Sequence, residues 1–199
     1  MPYRKHLNKD KVMKALIKQQ GVYIIEQKKH VCLQLCASIM GQQLSTKVAA
    51  VIYQRFLNLF KAKHPKPADI LGVPHEALRG IGLSNAKAVY IKNVCTFFLE
   101  HKLTDAKIYT LSNEEILALL TQIKGVGQWT VEMLLMFTLA RPDVFSTGDL
   151  GLQKAIVKLY QLEYANTREL CEKMSRIADQ WSPYRTYACR YLWRSLDAP

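Results

Sequence analysis

The chain has 199 residues, 49% of them hydrophobic, which suits one domain or two small lobes with a sizeable core. Its 28 lysines and arginines exceed 16 acidic residues, so the net charge is +12 and a polyanionic partner is indicated. Nucleic acid is favoured over a membrane because the positive charge is spread along the chain; a generally basic soluble protein is the alternative. The N-terminus lacks an apolar signal core, and the most apolar short run (133–140) cannot span a bilayer, so we expect a soluble intracellular protein.

The cysteines are odd in number and include no C-x-x-C pair, which argues against a disulfide framework or a zinc ribbon. We therefore expect buried, reduced thiols. The cysteines are Cys32, Cys36, Cys95, Cys171 and Cys189.

Helical periodicity dominates the first half of the chain. An amphipathic helix is predicted over 8–19, ending at Gly21, and two more within 30–60, on either side of Gly41. Ser45 or Thr46 is a suitable cap for the second of these. Residues 64–74 contain three prolines and are typical of a connection with at most a short turn, and Ser84 suits the N-cap of a helix over 84–100.

The second half continues the pattern. Ser112 and Glu115 form a capping box for a helix that we expect to end at Gly125, and a mostly apolar helix follows from Gln128 to about Ala140. Further helical segments are "LGLQKAIVKLY", "NTRELCEKMSRIADQW" and "PYRTYACRYLWRSL". Since no segment alternates with period 2, the sequence predicts an all-α fold of about nine or ten short helices.

The stretch "TQIKGVGQWTVE" places Gly125 and Gly127 at the start of a helix. Glycines allow a ligand to approach the backbone closely, and the unpaired N–H groups of a helix N-terminus bind phosphate without any cationic side chain. Such contacts hold DNA without reading its sequence. A tight turn between two helices is the equally simple alternative.

Asp149 follows Ser-Thr-Gly in "DVFSTGDLGLQKA" and precedes a predicted helix. An aspartate here is a favoured N-cap, which is the simpler interpretation. The helix terminus also stabilises its negative charge, which suits a carboxylate that faces a developing cation.

The C-terminal stretch "WSPYRTYACRYLW" is rich in aromatic residues at helical spacing. Aromatics in this pattern most often form core, although their faces also stack on nucleobases.

Together these stretches resemble the helix-hairpin-helix DNA glycosylases, most closely the alkylpurine branch of the DNA-3-methyladenine glycosylase II type. "IKGVGQWTVEMLLMFTL" is similar to the hairpin and its second helix, and "FSTGDLGLQKAI" to the segment of the catalytic aspartate. "ASIMGQQLSTKVAAVIYQRF" and "WSPYRTYACRYLW" match two further family segments in the same order. The resemblance covers roughly residues 8–196 and implies a compact, all-helical version without the N-terminal β domain of some relatives.

The resemblance implies a fold of two helical lobes with the active site in the cleft between them. The central lobe with the hairpin would comprise about residues 40–140, and the second lobe about 1–39 with 141–199. It also implies that Asp149 is the catalytic aspartate, whose carboxylate stabilises positive charge on the sugar and orients or deprotonates water.

The resemblance further implies which residues contact the DNA. The base pocket would contain Trp129 and Trp193, with Met133 and Leu150 where relatives carry aromatic residues. Phosphate would be bound near Gly125, Gly127 and Thr130. Gln43, or its neighbour Gln42, would fill the gap left by the flipped base.

The family's hairpin also binds a monovalent cation through main-chain carbonyls. These would be the carbonyls of Thr121, Ile123 and Val126, holding Na⁺ or K⁺. No other cofactor is expected. An iron–sulfur cluster is not, because only Cys171 and Cys189 lie near the C-terminus, where cluster-bearing relatives have four closely spaced cysteines.

The function implied is hydrolysis of the N-glycosidic bond of alkylated purines, such as 3-methyladenine and 7-methylguanine, in damaged double-stranded DNA. The enzyme would be a monomer, cytoplasmic or nuclear, and monofunctional, because Trp129 stands where strand-cutting relatives carry a lysine. The alternatives are a glycosylase for an oxidised or deaminated base and a non-catalytic DNA-binding module.

Overall fold

The computed structural model describes residues 1–196, and this part of the chain forms thirteen α-helices and no β-strand. The all-α prediction is confirmed. The helices are α1 (Pro2–Leu7), α2 (Lys11–Gln20), α3 (Val31–Gly41), α4 (Thr46–Leu57), α5 (Pro67–Leu71), α6 (His75–Gly80), α7 (Asn85–Glu100), α8 (Asp105–Thr110), α9 (Asn113–Leu120), α10 (Gln128–Phe137), α11 (Leu150–Tyr160), α12 (Thr167–Asp179) and α13 (Arg185–Arg194). They exceed the predicted number because α1, α5, α6 and α8 have only 5 or 6 residues, too few for a 3.6-residue period to be visible.

The predicted N-caps are present. The hydroxyl oxygens of Ser45 and Ser84 each accept the N–H three residues further on, at 3.4 and 3.2 Å. The capping box at α9 is complete, because Ser112 Oγ accepts the Glu115 N–H at 3.1 Å and the Glu115 carboxylate accepts the Ser112 N–H at 2.7 Å. These short-range bonds fix where the helices begin.

The chain divides into two compact units. The hairpin unit is Gln27–Leu139, and the aspartate unit is Met1–Glu26 with the chain from Ala140 onward. The boundary lies earlier than the position near residue 40 predicted from the sequence. The physical reason is that α3 packs on α4, α7 and α10, all of which belong to the hairpin unit.

The core of the hairpin unit is built around α7, which packs on α3, α5 and α6. α3 is apolar around most of its circumference, and its buried side chains meet the buried face of α7. α10 packs on α3 and α9 and so completes this layer. The central position of α7 matters for the site, because α7 also contacts the loop before α10.

The core of the aspartate unit is formed by α13, which packs on α2 and α11. Trp181 and Tyr191 from the aromatic stretch are fully buried here. The Trp181 indole N–H and the Tyr160 hydroxyl both donate to Asp10 Oδ2, at 3.0 and 2.6 Å. Tyr187 also stacks on Tyr3, with ring centroids 4.0 Å apart, so three of the five aromatic residues in the stretch have structural contacts, as the simpler interpretation predicted.

Two predicted helix ends are wrong. α9 ends at Leu120 rather than at Gly125, because residues 121–127 form the turn of the hairpin, and α10 ends at Phe137 rather than near Ala140. Among the described residues, no helix has both the length and the hydrophobicity needed to cross a membrane.

Candidate active site

The turn between α9 and α10 is shaped by Gly125. Its φ of +103° is a conformation that residues with a side chain rarely adopt, and a Cβ at this position would lie 2.1 Å from Cγ of Tyr90. The turn is further held by the Asn93 amide, which donates to the Lys124 carbonyl at 3.1 Å. Gly125 is thus needed for the packing of the hairpin on α7, whatever its role toward a ligand.

Gly127 differs from Gly125 in its backbone conformation and in the space around it. It is the N-cap of α10 with an extended backbone (φ −93°), and a Cβ added there would meet no atom of the protein within 4 Å. No side chain caps this helix end. Space is therefore open beside Gly127 at the N-terminus of α10, and a helix N-terminus is an end of the helix at which anions can bind.

Trp129 and Met133 lie four residues apart on α10 and so share one face of that helix. Trp129 is 41% exposed, a large fraction for an indole, and Met133 is half-buried. The hairpin unit therefore presents an aromatic and a thioether side chain next to the Gly127 helix end.

The two neighbouring glutamines in the turn between α3 and α4 have different surroundings. Gln42 Nε2 donates to Thr130 Oγ1 at 3.1 Å, so this side chain is joined to α10. Gln43 is exposed and has φ +58°, a conformation that is uncommon for a residue other than glycine. The structure thus places Gln42 as an anchor of the turn and Gln43 at its tip.

Lys87 of α7 also holds this turn. Its ammonium donates to the carbonyls of Met40 and Gln42, at 3.0 and 2.6 Å. Burial lowers the pKa of Lys87. Because both acceptors lie at the C-terminal end of α3, the cation is placed at the negative end of that helix.

Thr130, predicted to contact phosphate through its hydroxyl, is only 3% exposed. Its Oγ1 accepts the bond from Gln42, so the observed role of the hydroxyl is to hold the α3–α4 turn. A phosphate contact by Thr130 stays a prediction.

Asp149 is the N-cap of α11 and is 8% exposed. Its Oδ1 accepts two hydrogen bonds of 2.8 Å, one from the Leu152 N–H and one from the indole N–H of Trp193 on α13. The N-cap and the catalytic interpretations of Asp149 are compatible, because the cap fixes the carboxylate where the helix terminus stabilises its charge.

Gly151 makes this arrangement possible. A Cβ there would lie 2.9 Å from Cδ1 of Trp193 and 3.0 Å from Oδ1 of Asp149. Any larger residue would therefore separate the indole from the carboxylate. Leu150, by contrast, is 69% exposed, and Trp193 is half-buried.

An ion pair fixes the loop that leads to Asp149. The Arg185 guanidinium donates two hydrogen bonds to the Asp143 carboxylate, at 2.7 and 2.9 Å. Burial alone would raise the pKa of Asp143, but bonds from Arg185 and Ser182 lower it below its usual value. The neighbouring Thr186 also donates to the Arg141 carbonyl at 2.6 Å, so the first turn of α13 is tied to this loop.

Sequence reasoning missed several of these residues. Arg185 and Gly151 stand within the motifs quoted above, so their positions were visible although their contacts were not. Tyr90 and Lys87 carry no sequence signal, because their importance depends on residues 35 or more positions away.

The carbonyls predicted to bind a cation belong to Thr121, Ile123 and Val126, all within the hairpin turn. The Ile123 carbonyl accepts the Val126 N–H at 2.9 Å. A carbonyl oxygen has two lone pairs, so this bond leaves a second one for a cation. The Ile123 carbonyl thus keeps an acceptor position for a cation, and the cation site itself stays a prediction.

The fold and the site define an all-helical protein with a helix-hairpin-helix element whose second helix begins at a glycine, together with a fixed N-cap carboxylate. Residues 36–180 match the HhH-GPD superfamily of base excision DNA repair proteins. The chain belongs to this family.

The chain is similar to two DNA-3-methyladenine glycosylases and covers a different share of the length of each. The chain is 34% identical to the putative DNA-3-methyladenine glycosylase YfjP of Bacillus subtilis, over 83% of this chain and 58% of that protein. It is 35% identical to DNA-3-methyladenine glycosylase 1 of Schizosaccharomyces pombe, over 94% of this chain and 82% of that protein. The chain thus spans little more than half of the first relative and most of the second.

A solved structure is similar over the whole described fold. It is the 3-methyladenine DNA glycosylase Mag1 of Schizosaccharomyces pombe in complex with abasic DNA, with a TM-score of 0.89, 31% identity, and coverage of 100% of this chain and 98% of that one. The predicted family and fold class are thereby confirmed.

Proposed function

We propose that this protein is a monofunctional DNA glycosylase that removes alkylated purines from damaged double-stranded DNA and leaves an abasic site. The observation that carries the proposal is the Asp149 carboxylate, which two N–H donors hold at the N-terminus of α11. The names of the similar proteins support the same chemistry.

The proposed substrate explains why one carboxylate is sufficient. Alkylation at N3 or N7 makes a purine cationic, so the base leaves readily and needs little acid catalysis. Its departure leaves positive charge on the sugar, as in other glycoside hydrolyses. Asp149 stabilises this charge and orients or deprotonates the attacking water.

Trp193 has two roles in this proposal. Its N–H fixes Asp149, and its indole face contacts the base. Fixing the carboxylate before the substrate binds reduces the reorganisation needed during the reaction, which is the usual source of electrostatic catalysis.

The hairpin unit binds the DNA backbone in this proposal. The N–H groups at the start of α10 bind phosphate beside Gly127, where the protein leaves open space. Gln43, at the tip of its turn, enters the gap that the flipped nucleotide leaves, and base extrusion costs a few kcal/mol.

Trp129 and Met133 contact the extruded base, and a cationic purine binds well against an electron-rich ring. Because Met133 and Leu150 are aliphatic where relatives can carry aromatic residues, we propose a pocket with weaker stacking. Such a pocket depends more on the positive charge of the lesion for its selectivity.

A monovalent cation at the hairpin is part of the proposal. Carbonyls of Thr121, Ile123 and Val126 would hold it, and the ion would add positive charge beside the phosphate site. Phosphate binding itself is assigned to the N–H groups of α10.

The test is base release from duplexes that contain 3-methyladenine, 7-methylguanine, hypoxanthine, ethenoadenine or 8-oxoguanine. We expect release of the two cationic methylpurines at rates well above those for the three neutral bases. Faster release of a neutral base would move the protein to the alternative enzyme class. Binding without release of any base would support the non-catalytic module.

A further inference from the structure

Three buried cysteine side chains converge in the core of the hairpin unit. Cys32 and Cys36 lie one turn apart on α3, and Cys95 faces them from α7. Their sulfur atoms all lie within 4.8 Å of one another, and the Cys36 and Cys95 sulfurs are 3.9 Å apart. We propose that Cys32, Cys36 and Cys95 form a binding site for a soft, thiol-binding metal ion, with Cu(I) as the best match.

The spacing of the sulfurs fits a trigonal metal site. With metal–sulfur bonds of about 2.3 Å, three sulfurs around one ion lie about 4 Å apart. The observed spacing therefore needs only small side-chain movements. A disulfide would instead need two sulfurs to approach to about 2.05 Å, roughly half the present distance between Cys36 and Cys95.

The number and type of donors select the metal. No fourth cysteine, histidine or carboxylate joins this cluster in the described part of the chain. Three thiolates without a fourth protein ligand favour a soft ion that accepts three-coordination, and Cu(I) is the physiological ion of that type. Zn(II) prefers four ligands and would need one from outside the protein.

A cavity of about 200 Å³ gives the ion a way in. Cys32 lines it together with His30, His64 and Asp105. The rings of His30 and His64 are stacked, with centroids 4.3 Å apart. Imidazoles on the path to a thiolate can bind a metal ion transiently and pass it inward.

A metal ion at this site would stabilise the packing of α3 against α7, the two helices that support the hairpin. α3 ends at the Gln42–Gln43 turn, and α7 carries Lys87, Tyr90 and Asn93, which hold that turn and the hairpin. An ion bound to both helices would add a cross-link between them. This inference is independent of the glycosylase proposal.

The experiment is a competition for Cu(I) between the reduced protein and a coloured Cu(I) chelator, bathocuproine disulfonate, in the absence of oxygen. We expect the wild-type chain to withdraw one equivalent. Cys36→Ala and Cys95→Ser should weaken binding by more than about a hundredfold, since loss of outer partners alone costs 10–100-fold. Cys171→Ser is the matched control and should bind as the wild type does, because Cys171 belongs to the other unit.

X-ray absorption of the Cu(I)-loaded wild-type protein does not depend on the folding of any variant. Three sulfur neighbours at about 2.3 Å would support the site. Two sulfur neighbours, equal binding by Cys95→Ser, or no withdrawal of Cu(I) by the wild type would each overturn it.

Discussion

At the scale of single residues, the carboxylate of Asp149 combines a structural and a proposed chemical role, and the two can be separated. Asn at position 149 can still accept the bonds from the Leu152 and Trp193 N–H groups, but it carries no charge. We expect Asp149→Asn to lower the rate of base release by roughly a hundredfold to a thousandfold. The measurement is single-turnover release of 7-methylguanine.

Affinity of the Asp149→Asn variant for DNA with an abasic-site analogue should stay close to that of the wild type, because the fold is intact. Near-normal release of the base by this variant would remove Asp149 from the mechanism.

Gly151 offers a second test at this scale. Gly151→Ala places a methyl group 2.9 Å from Trp193 and 3.0 Å from Asp149, so one of them must move. A displacement near 1 Å can lower a catalytic rate about a hundredfold, and we expect a loss between tenfold and that value. Gly148→Ala is the matched control, because an added Cβ there meets no protein atom within 4 Å. Equal single-turnover rates for the two variants would show that the Trp193–Asp149 contact is not needed.

At the scale of the elements, the two glycines of the hairpin have different roles. Gly125 is needed for packing, and Gly127 is proposed to lie beside the phosphate. Gly127→Asp fits the free protein and supplies a favoured N-cap, so its melting temperature should equal or exceed that of the wild type. Its negative charge would meet phosphate, so affinity for damaged and undamaged duplex alike should fall. Gly125→Ala should instead lower the melting temperature by several degrees. The backbone φ of +103° is strained for alanine, and the added Cβ would clash with the Tyr90 ring.

Fluorescence anisotropy and thermal unfolding of both hairpin variants measure the two effects. A Gly127→Asp protein that keeps general DNA affinity and loses only lesion discrimination would contradict the phosphate assignment.

The Asp143–Arg185 pair joins α13 to the loop before Asp149, and it makes stability depend on pH. Because the folded-state pKa of Asp143 is lowered, its contribution is present above the usual aspartate pKa and is lost as the pH falls through the folded value. We expect Asp143→Asn to melt about 2–4 °C below the wild type at neutral pH. The difference should shrink toward zero in acid. A difference that stays constant with pH would show that the ion pair does not contribute.

Elements were predictable from the sequence where their signals are local. Ser112 and Glu115 define the start of α9 by contacts three residues apart, and Asp149 caps α11 in the same way. The ends of α9 and α10 were wrong because no capping signal marks them. The short helices α1, α6 and α8 were not predicted, and only a short turn was expected where α5 lies, because 5 or 6 residues are too few to show a helical period.

At the scale of the whole molecule, the composition predicted a basic protein, the helical periodicity predicted an all-α fold, and the order of four motifs predicted the family. The contacts that support the candidate site could not be predicted from the sequence. Nothing in the sequence brings Tyr90 to Gly125, or Cys95 to Cys36, because each pair is joined only by the packing of α7. The sequence therefore indicated candidate site residues but not the residues that hold them in place.

The reaction of the whole chain with DNA distinguishes a monofunctional glycosylase from a strand-cutting one. A strand-cutting glycosylase needs an amine that attacks the sugar and forms a Schiff base. The family resemblance implies that Trp129 takes the position of that lysine, and an indole nitrogen is not a nucleophile because its lone pair belongs to the ring. Lys124 and Lys154 are near the motifs in sequence, and the pKa of Lys87 is lowered, which favours a reactive amine.

The Lys87 ammonium, however, donates to two carbonyls at the end of α3, and this contact favours its charged form. We therefore expect borohydride to trap no covalent adduct between the protein and lesion-containing DNA, while an intact abasic site accumulates. Alkaline cleavage of the product strand measures that site. A stoichiometric adduct that disappears when Lys87, Lys124 or Lys154 is replaced by glutamine would place the protein in the bifunctional class, with the amine identified by the variant that loses it.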